Sequence, residues 1–160
     1  MAGKSNAHHD LTPAGRLVES GLHSIVGYQL AQAAITTTQS FSQRVGAVFD
    51  LRPVEFTLLA LVDGNPAVSA RQLAGALAVT PPNITMWIDK LERRGLIERE
   101  RSSTDGRAQH IRTTPAGAKL IEAAIEQAKA GERQLLASLS EAERAILVEL
   151  LHKVAVCRRR

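Results

Sequence analysis

Aromatic residues make up only 3% of this 160-residue chain: three Phe, one Trp and one Tyr. Flat stacking platforms, which hold single-stranded nucleic acid, are therefore nearly excluded. A single cysteine, Cys157, rules out an internal disulfide framework and any CxxC-type zinc or redox site. No apolar run approaches the ~20 residues of a membrane span, and Met1–Asp10 is polar, without a hydrophobic signal core. The expected location is the cytoplasm, with no membrane partner. Enzyme motifs are also missing: there is no GxGxxG, HExxH or GxSxG. Gly3-Lys4-Ser5 resembles the end of a P-loop, but the upstream glycine it needs would precede Met1. The histidines, His8, His9, His23, His110 and His152, are scattered, and no Cys/His/carboxylate cluster has ligand spacing. Neither an enzyme, a cofactor nor a metal site is expected.

What is present is positive charge and helix. Formal net charge is +4, and arginine supplies 15 of the 20 basic residues. Arginine's planar fork suits phosphate oxygens, so the balance points to nucleic acid, and the lack of stacking residues to a duplex. With 44% hydrophobic and 22% charged residues the chain is globular. Residues 1–15 read as a polar, frayed arm. From Leu17 to Val48 the three- and four-residue spacing of Leu22, Ile25, Val26, Leu30, Ala33 and Ala34 predicts a helix. Between Leu22 and Val48 its only formal charge is Arg44. An exposed helix carries charge on its outer face, so this one is expected to be covered by a second subunit.

Capping chemistry divides the remainder. Pro53 opens a helix that Asp63-Gly64-Asn65-Pro66 breaks. Ser69-Ala-Arg-Gln72 is a capping box for a short helix with Leu73, Ala74 and Leu77. Thr80-Pro81 opens a second, with Ile84, Ile88 and Leu91 buried and Gly95 at its left-handed end. Asp105-Gly106 between two charged, period-two runs is a hairpin turn. Thr114-Pro115 opens a helix to about Leu136, and Ser140 to Glu143 is the capping box of the last one, whose stripe is Ile146, Leu147, Leu150, Leu151 and Val154.

Helix, turn, helix and charged hairpin is the order of a winged helix-turn-helix. The second helix would enter the major groove with Thr80, Pro81, Asn83, Thr85, Met86 and Lys90 facing outward. Its N-terminal N–H groups would be available to a phosphate. Ser69 starts the buttressing helix, and Arg99, Arg101, Arg107 and Arg112 gather charge on the hairpin. The same hairpin charge also suits a solvated, self-protecting edge.

Leu73-Ala74, the run Asn83-Ile-Thr-Met-Trp-Ile-Asp-Lys-Leu-Glu-Arg-Arg-Gly-Leu-Ile-Glu-Arg99, Asp105-Gly-Arg107 and Thr113-Thr-Pro-Ala-Gly117 resemble the MarR (multiple-antibiotic-resistance regulator) family over about residues 17–155. The resemblance implies a homodimeric winged-helix repressor whose first and last helices interlock between subunits. It also implies that a small ligand is sensed beneath the DNA-binding lobe. Arg107 matches the family's wing arginine, entering a minor groove, and Asp105 matches the aspartate that holds it. One departure is Met86, where the family often has arginine. Met86 cannot donate to guanine, which leaves readout to Asn83, Thr85 and contacts with thymine methyls.

The expected architecture is mostly α with a small β wing: residues 1–15 an arm, 16–157 one winged-helix domain and 158–160 a basic tail. Within the domain, 17–48 and 115–157 would serve dimerisation and 53–114 DNA binding. The expected function is a sequence-specific repressor on a pseudo-palindromic operator, released by a small ligand. The alternative is a winged-helix module that binds a protein or RNA. Uncharged hydrogen-bonding groups on the first helix place that ligand near His23, Tyr28, Gln32 and Thr36; those groups could instead satisfy one another across a dimer. By resemblance the ligand would be an aromatic acid, phenol or related thioester.

Overall fold

A computed structural model describes residues 11–101 and 109–158. Among the described residues, seven α-helices, one π-helical turn and one two-stranded sheet follow in the order α1 (Val26–Phe41), the π-helical turn (Ser42–Gly46), α2 (Ala47–Phe49), α3 (Pro53–Asp63), α4 (Ala70–Leu77), α5 (Pro81–Arg93), β1 (Ile97–Arg101), β2 (Gln109–Thr113), α6 (Pro115–Leu135) and α7 (Glu141–Val156). The chain is mostly helical with a small β wing. It divides into one unit ending at Gln39 and a second beginning at Ser40.

In the first unit the helix begins at Val26, not at Leu17 as the periodicity predicts. Local polar bonds take the backbone instead. The Thr12 hydroxyl donates to Ala14 O at 2.6 Å and accepts from Leu17 N at 3.0 Å. Gly15 and Arg16 turn left-handed, and Leu22 N and His23 N both donate to Glu19 O. Leu22 and Ile25 therefore stand in short turns ahead of the helix. No residue of α1 is buried.

The second unit is built on its caps. Ser69 Oγ accepts from Gln72 N, and Gln72 Oε1 accepts from Ser69 N at 2.9 Å. Thr114 accepts from Gly117 N, and Ser140 forms a reciprocal box with Glu143. Thr80 is different. It takes the extended N-cap conformation, but its side chain caps nothing. Pro81 and Pro82 follow it and have no N–H to offer.

Leu58, Leu59 and Val62 of α3, Leu73 of α4, Ile84, Ile88 and Leu91 of α5, Ile97 and Ile111 of the sheet and Ile121 of α6 form one buried core. Phe41 and Phe56 meet edge to face, with centroids 5.3 Å apart. β1 and β2 are antiparallel, Arg99 opposite Ile111, and Ile111 N donates to Val68 O at 2.8 Å, which ties the sheet to the segment before α4. Where β1 leaves α5, Gly95 is left-handed at φ +68°. Gly117 at the start of α6 lies so close to Leu96 that an added Cβ would stand 1.9 Å from Leu96 O.

Candidate nucleic-acid interface

The stripe of Ile84, Ile88 and Leu91 faces inward, so the opposite face of α5 is necessarily the solvent face. Pro82, Met86, Asp89 and Arg93 follow one another along it at helical spacing. With Pro81 and Thr85 they line one open hollow. Ala78, left-handed at φ +53°, makes the turn that sets α4 against α5. Thr80, Pro81, Asn83, Thr85 and Met86 are all exposed on this side. Trp87 is half-buried and packs on the core.

The hydrogen-bonding capacity of this face is smaller than the residue types suggest. Pro81 and Pro82 contribute no N–H. Ile84 N donates to Thr80 O at 3.2 Å, leaving the Asn83 amide as the remaining first-turn backbone donor. The Thr85 hydroxyl donates to Pro81 O at 3.0 Å. Ser69 is occupied in its capping box, its hydroxyl donating to Gln72 Oε1 at 2.7 Å.

Several cations expected to face a duplex have protein partners. Lys90 Nζ lies 2.7 Å from Oε1 of Glu55 on α3, and Glu55 is 1% exposed. Its other oxygen accepts from Arg52 N at 3.0 Å. Burial pushes the Glu55 carboxyl up, but the Lys90 ammonium and the Arg52 N–H together hold it below its ordinary value. Arg99, on β1, forks between Glu92 and Asp89 of α5. Arg112 pairs with Glu100 across the sheet at 2.7 Å. Arg94 donates to the backbone oxygens of Asp50 at 2.5 Å and Phe49 at 2.9 Å. These contacts fix the recognition helix to α2, α3 and the wing. They also remove Lys90 and Arg99 from the charge directly available to phosphate.

Arg101 lies in β1 opposite Gln109; its side chain, and Asp105 and Arg107 entirely, lie outside the described residues. Arg93, absent from the sequence-based set, stands exposed on the α5 face, with its Nε on Asp89 O at 3.2 Å. The spacing from Pro82 through Met86 and Asp89 to Arg93 was the signal that could have found it.

In the first unit, three of the four residues expected to bind a ligand come together around a carboxylate the sequence reading missed. Tyr28 OH donates to Glu19 Oε2 at 2.5 Å, His23 Nδ1 stands 3.7 Å from Glu19 Oε1, and Gln32, one turn along α1, acts on the Tyr28 hydroxyl in the opposite sense to Glu19, favouring its ionised form. Glu19 is buried. Its hydrogen bond, with some desolvation, holds the Tyr28 hydroxyl above the usual tyrosine range. Thr36 stands apart, its hydroxyl donating to Ala33 O at 3.0 Å. Among the described residues no group of three or more His, Cys, Asp or Glu could hold a metal, and no helix is long and apolar enough to cross a membrane.

Comparison with known proteins places this geometry. The MarR family model matches residues 51–108, which run from the start of α3 into the hairpin. A transcriptional regulatory protein assigned to the hcr operon of Thauera aromatica is 32% identical over 139 residues, 86% of this chain and 83% of its own. The chain belongs to the MarR family. The transcriptional regulator PecS of Dickeya dadantii is 32% identical over 114 residues, 69% of each chain. Among solved structures, the transcriptional repressor CouR bound to a 23-mer DNA duplex superposes with a TM-score of 0.80 at 29% identity, covering 87% of this chain and 98% of that one. This MarR-type chain is a winged-helix, DNA-binding transcriptional regulator, and its relatives are regulators, not enzymes.

Proposed function

We propose that the chain is a homodimeric, sequence-specific repressor that a small ligand releases from a pseudo-palindromic operator. The observation that carries the reading is the α5 face: exposed, free of buried-core duties and clamped at its sides by Lys90–Glu55 and by Arg99 on Asp89 and Glu92. A recognition element must be held rigidly if base contacts are to discriminate sequences. Of the residues expected at DNA, Thr80, Pro81, Asn83, Thr85 and Met86 contact the major groove. Arg101 and Arg107, the latter held by Asp105, approach backbone and minor groove, with Arg93 added. Ser69, Lys90 and Arg99 position these elements. DNA binding belongs to 53–114, and dimerisation to 17–48 and 115–157.

The last helix supports the dimer. All sixteen residues of α7 escape burial, Ile146, Leu147, Leu150, Leu151 and Val154 among them. A contiguous apolar stripe of this kind needs a cover, and a two-fold copy supplies one. Two-fold symmetry then sets half-sites about 10 base pairs apart. The cluster of Glu19, His23, Tyr28 and Gln32 supports a ligand site with a few convergent polar groups. The repressor named among the similar structures supports repression.

Gel-shift titration against the chain's own upstream region and unrelated duplexes tests the reading. One duplex should bind at least about tenfold more tightly than the rest, with affinity falling steeply with salt. Equal affinity for all duplexes removes sequence specificity, and a flat salt response favours a protein partner. In a thermal-shift ligand screen, Tyr28→Ala and Gln32→Ala should bind DNA normally with a weakened ligand response.

A further inference from the structure

We propose that α5 reads the 5-methyl groups of thymine, not the edge of guanine, and that Met86 is the specificity-determining residue. The inference rests on the proposed sequence-specific DNA binding. Guanine presents two acceptors to the major groove and is read by paired donors, most often an arginine fork. The first two turns of α5 hold no such pair. Pro81, Pro82 and Met86 have no side-chain donor, and the Thr85 hydroxyl hydrogen is engaged by Pro81 O. Trp87 is half-buried against the core, which leaves the Asn83 side chain as the remaining exposed donor in those turns. Two cations at the far end of the same helix are engaged as well, Lys90 by Glu55 and Arg94 by the backbone of Asp50 and Phe49. Arg93 is exposed and borders the same hollow, but its Nε is engaged by Asp89 O at 3.2 Å and its backbone lies seven residues beyond Met86, about 10 Å along the helix. A recognition helix that enters the groove by its N-terminal end meets the sugar–phosphate chain at that distance, not the same base pairs.

The same turns are rich in carbon. Pro82, Thr85 and Met86 stand at i, i+3 and i+4, on one face, and line a common hollow. Met86 is 52% exposed. Its unbranched thioether can adapt to a small apolar group. In the major groove the thymine methyl is the apolar group that a base pair presents. Asn83, beside this patch, has the carbonyl and amide that pair with adenine N6 and N7. Methyl contact and adenine pairing agree on A·T pairs at the centre of each half-site.

The test starts with full-length protein and selection from a random duplex library. Each thymine of the selected site is then replaced singly by deoxyuridine, which deletes the methyl and keeps the pairing. At one or more thymines per half-site, the loss should weaken binding about fourfold, the value of one buried methyl-sized group. For Met86→Ala the same replacement should change affinity by less than about 1.5-fold, while Met86→Arg should shift selection toward guanine there. Met86 is exposed, so unchanged melting of both variants separates readout from folding. A flat deoxyuridine scan overturns the proposal, as does thymine dependence that survives in Met86→Ala or guanine selected at the core by the parent protein. If no duplex is enriched at all, the sequence-specific reading beneath it falls too.

Discussion

Glu55 is the least expected charge in the molecule: a carboxylate buried among α3 side chains, facing the recognition helix. Taking a carboxylate out of water is costly unless a cation and N–H donors compensate. Lys90 and Arg52 N do so, and the lowered pKa is the consequence. A carboxyl depressed on folding adds stability above its unfolded value of about 4.3, and that stability is lost as pH falls through the folded value. Glu55→Gln should cost about 1–2 kcal/mol at neutral pH. Lys90→Met should cost more, about 3 kcal/mol, because it leaves the carboxylate buried without its cation. In that variant the carboxyl is raised instead, so its deficit should shrink between about pH 7 and about pH 4. Thermal melts across that range check both signs; a Lys90→Met deficit that grows on acidification overturns the assignment.

The recognition helix and the wing behave as one piece because Arg99 bridges them. Its guanidinium meets Asp89 and Glu92, one turn apart on α5. Arg99→Gln should weaken duplex binding several-fold by loosening the hairpin, yet leave the slope of log affinity against log salt almost unchanged. An arginine that neutralises a phosphate would lower that slope by about one unit, so a measured drop of that size would assign Arg99 to DNA directly. At the other end of the wing, α6 enters within contact of Leu96. An added Cβ at Gly117 would meet Leu96 O at 1.9 Å and Leu96 C at 2.8 Å, both backbone. Backbone cannot swing aside as a side chain can. Gly117→Ala should therefore cost about 3 kcal/mol in chemical denaturation, and a variant as stable as the parent would show that α6 can slide away freely.

For the whole molecule, the exposed stripe on α7 is the deciding quantity. A lone chain would present Ile146, Leu147, Val148, Leu150, Leu151, Val154 and Val156 to water on one helix. Burial of that surface against a second copy predicts a particle of twice the 17.3 kDa chain mass in sedimentation at micromolar concentration. Leu150→Glu with Val154→Glu should reduce the sedimenting mass or make the melting temperature fall steeply on dilution. The parent protein sedimenting as a monomer at micromolar concentration contradicts the dimer. The proposed pair of operator half-sites would then lose its source of symmetry.

Local chemistry was legible from residues alone. Ser69–Gln72, Thr114 and Ser140–Glu143 announce helix starts because a cap needs groups only three residues apart. Buried stripes were legible for the same reason, as in Ile84, Ile88 and Leu91. The start of the first helix was not, because periodicity does not register the Thr12 bonds and left-handed Gly15 and Arg16 that compete with it. Nor was it legible which cations stay free. Lys90 finds its partner 35 positions away and Arg94 its carbonyls 44 and 45 away, so pairing depends on how helices pack. From Pro53 onward the amino-acid order determined where the helices begin and which faces line the core, and it carried the family they belong to. Tertiary packing alone decided which charges are neutralised, because a buried charge is tolerated only where the fold brings its counter-charge within hydrogen-bonding distance.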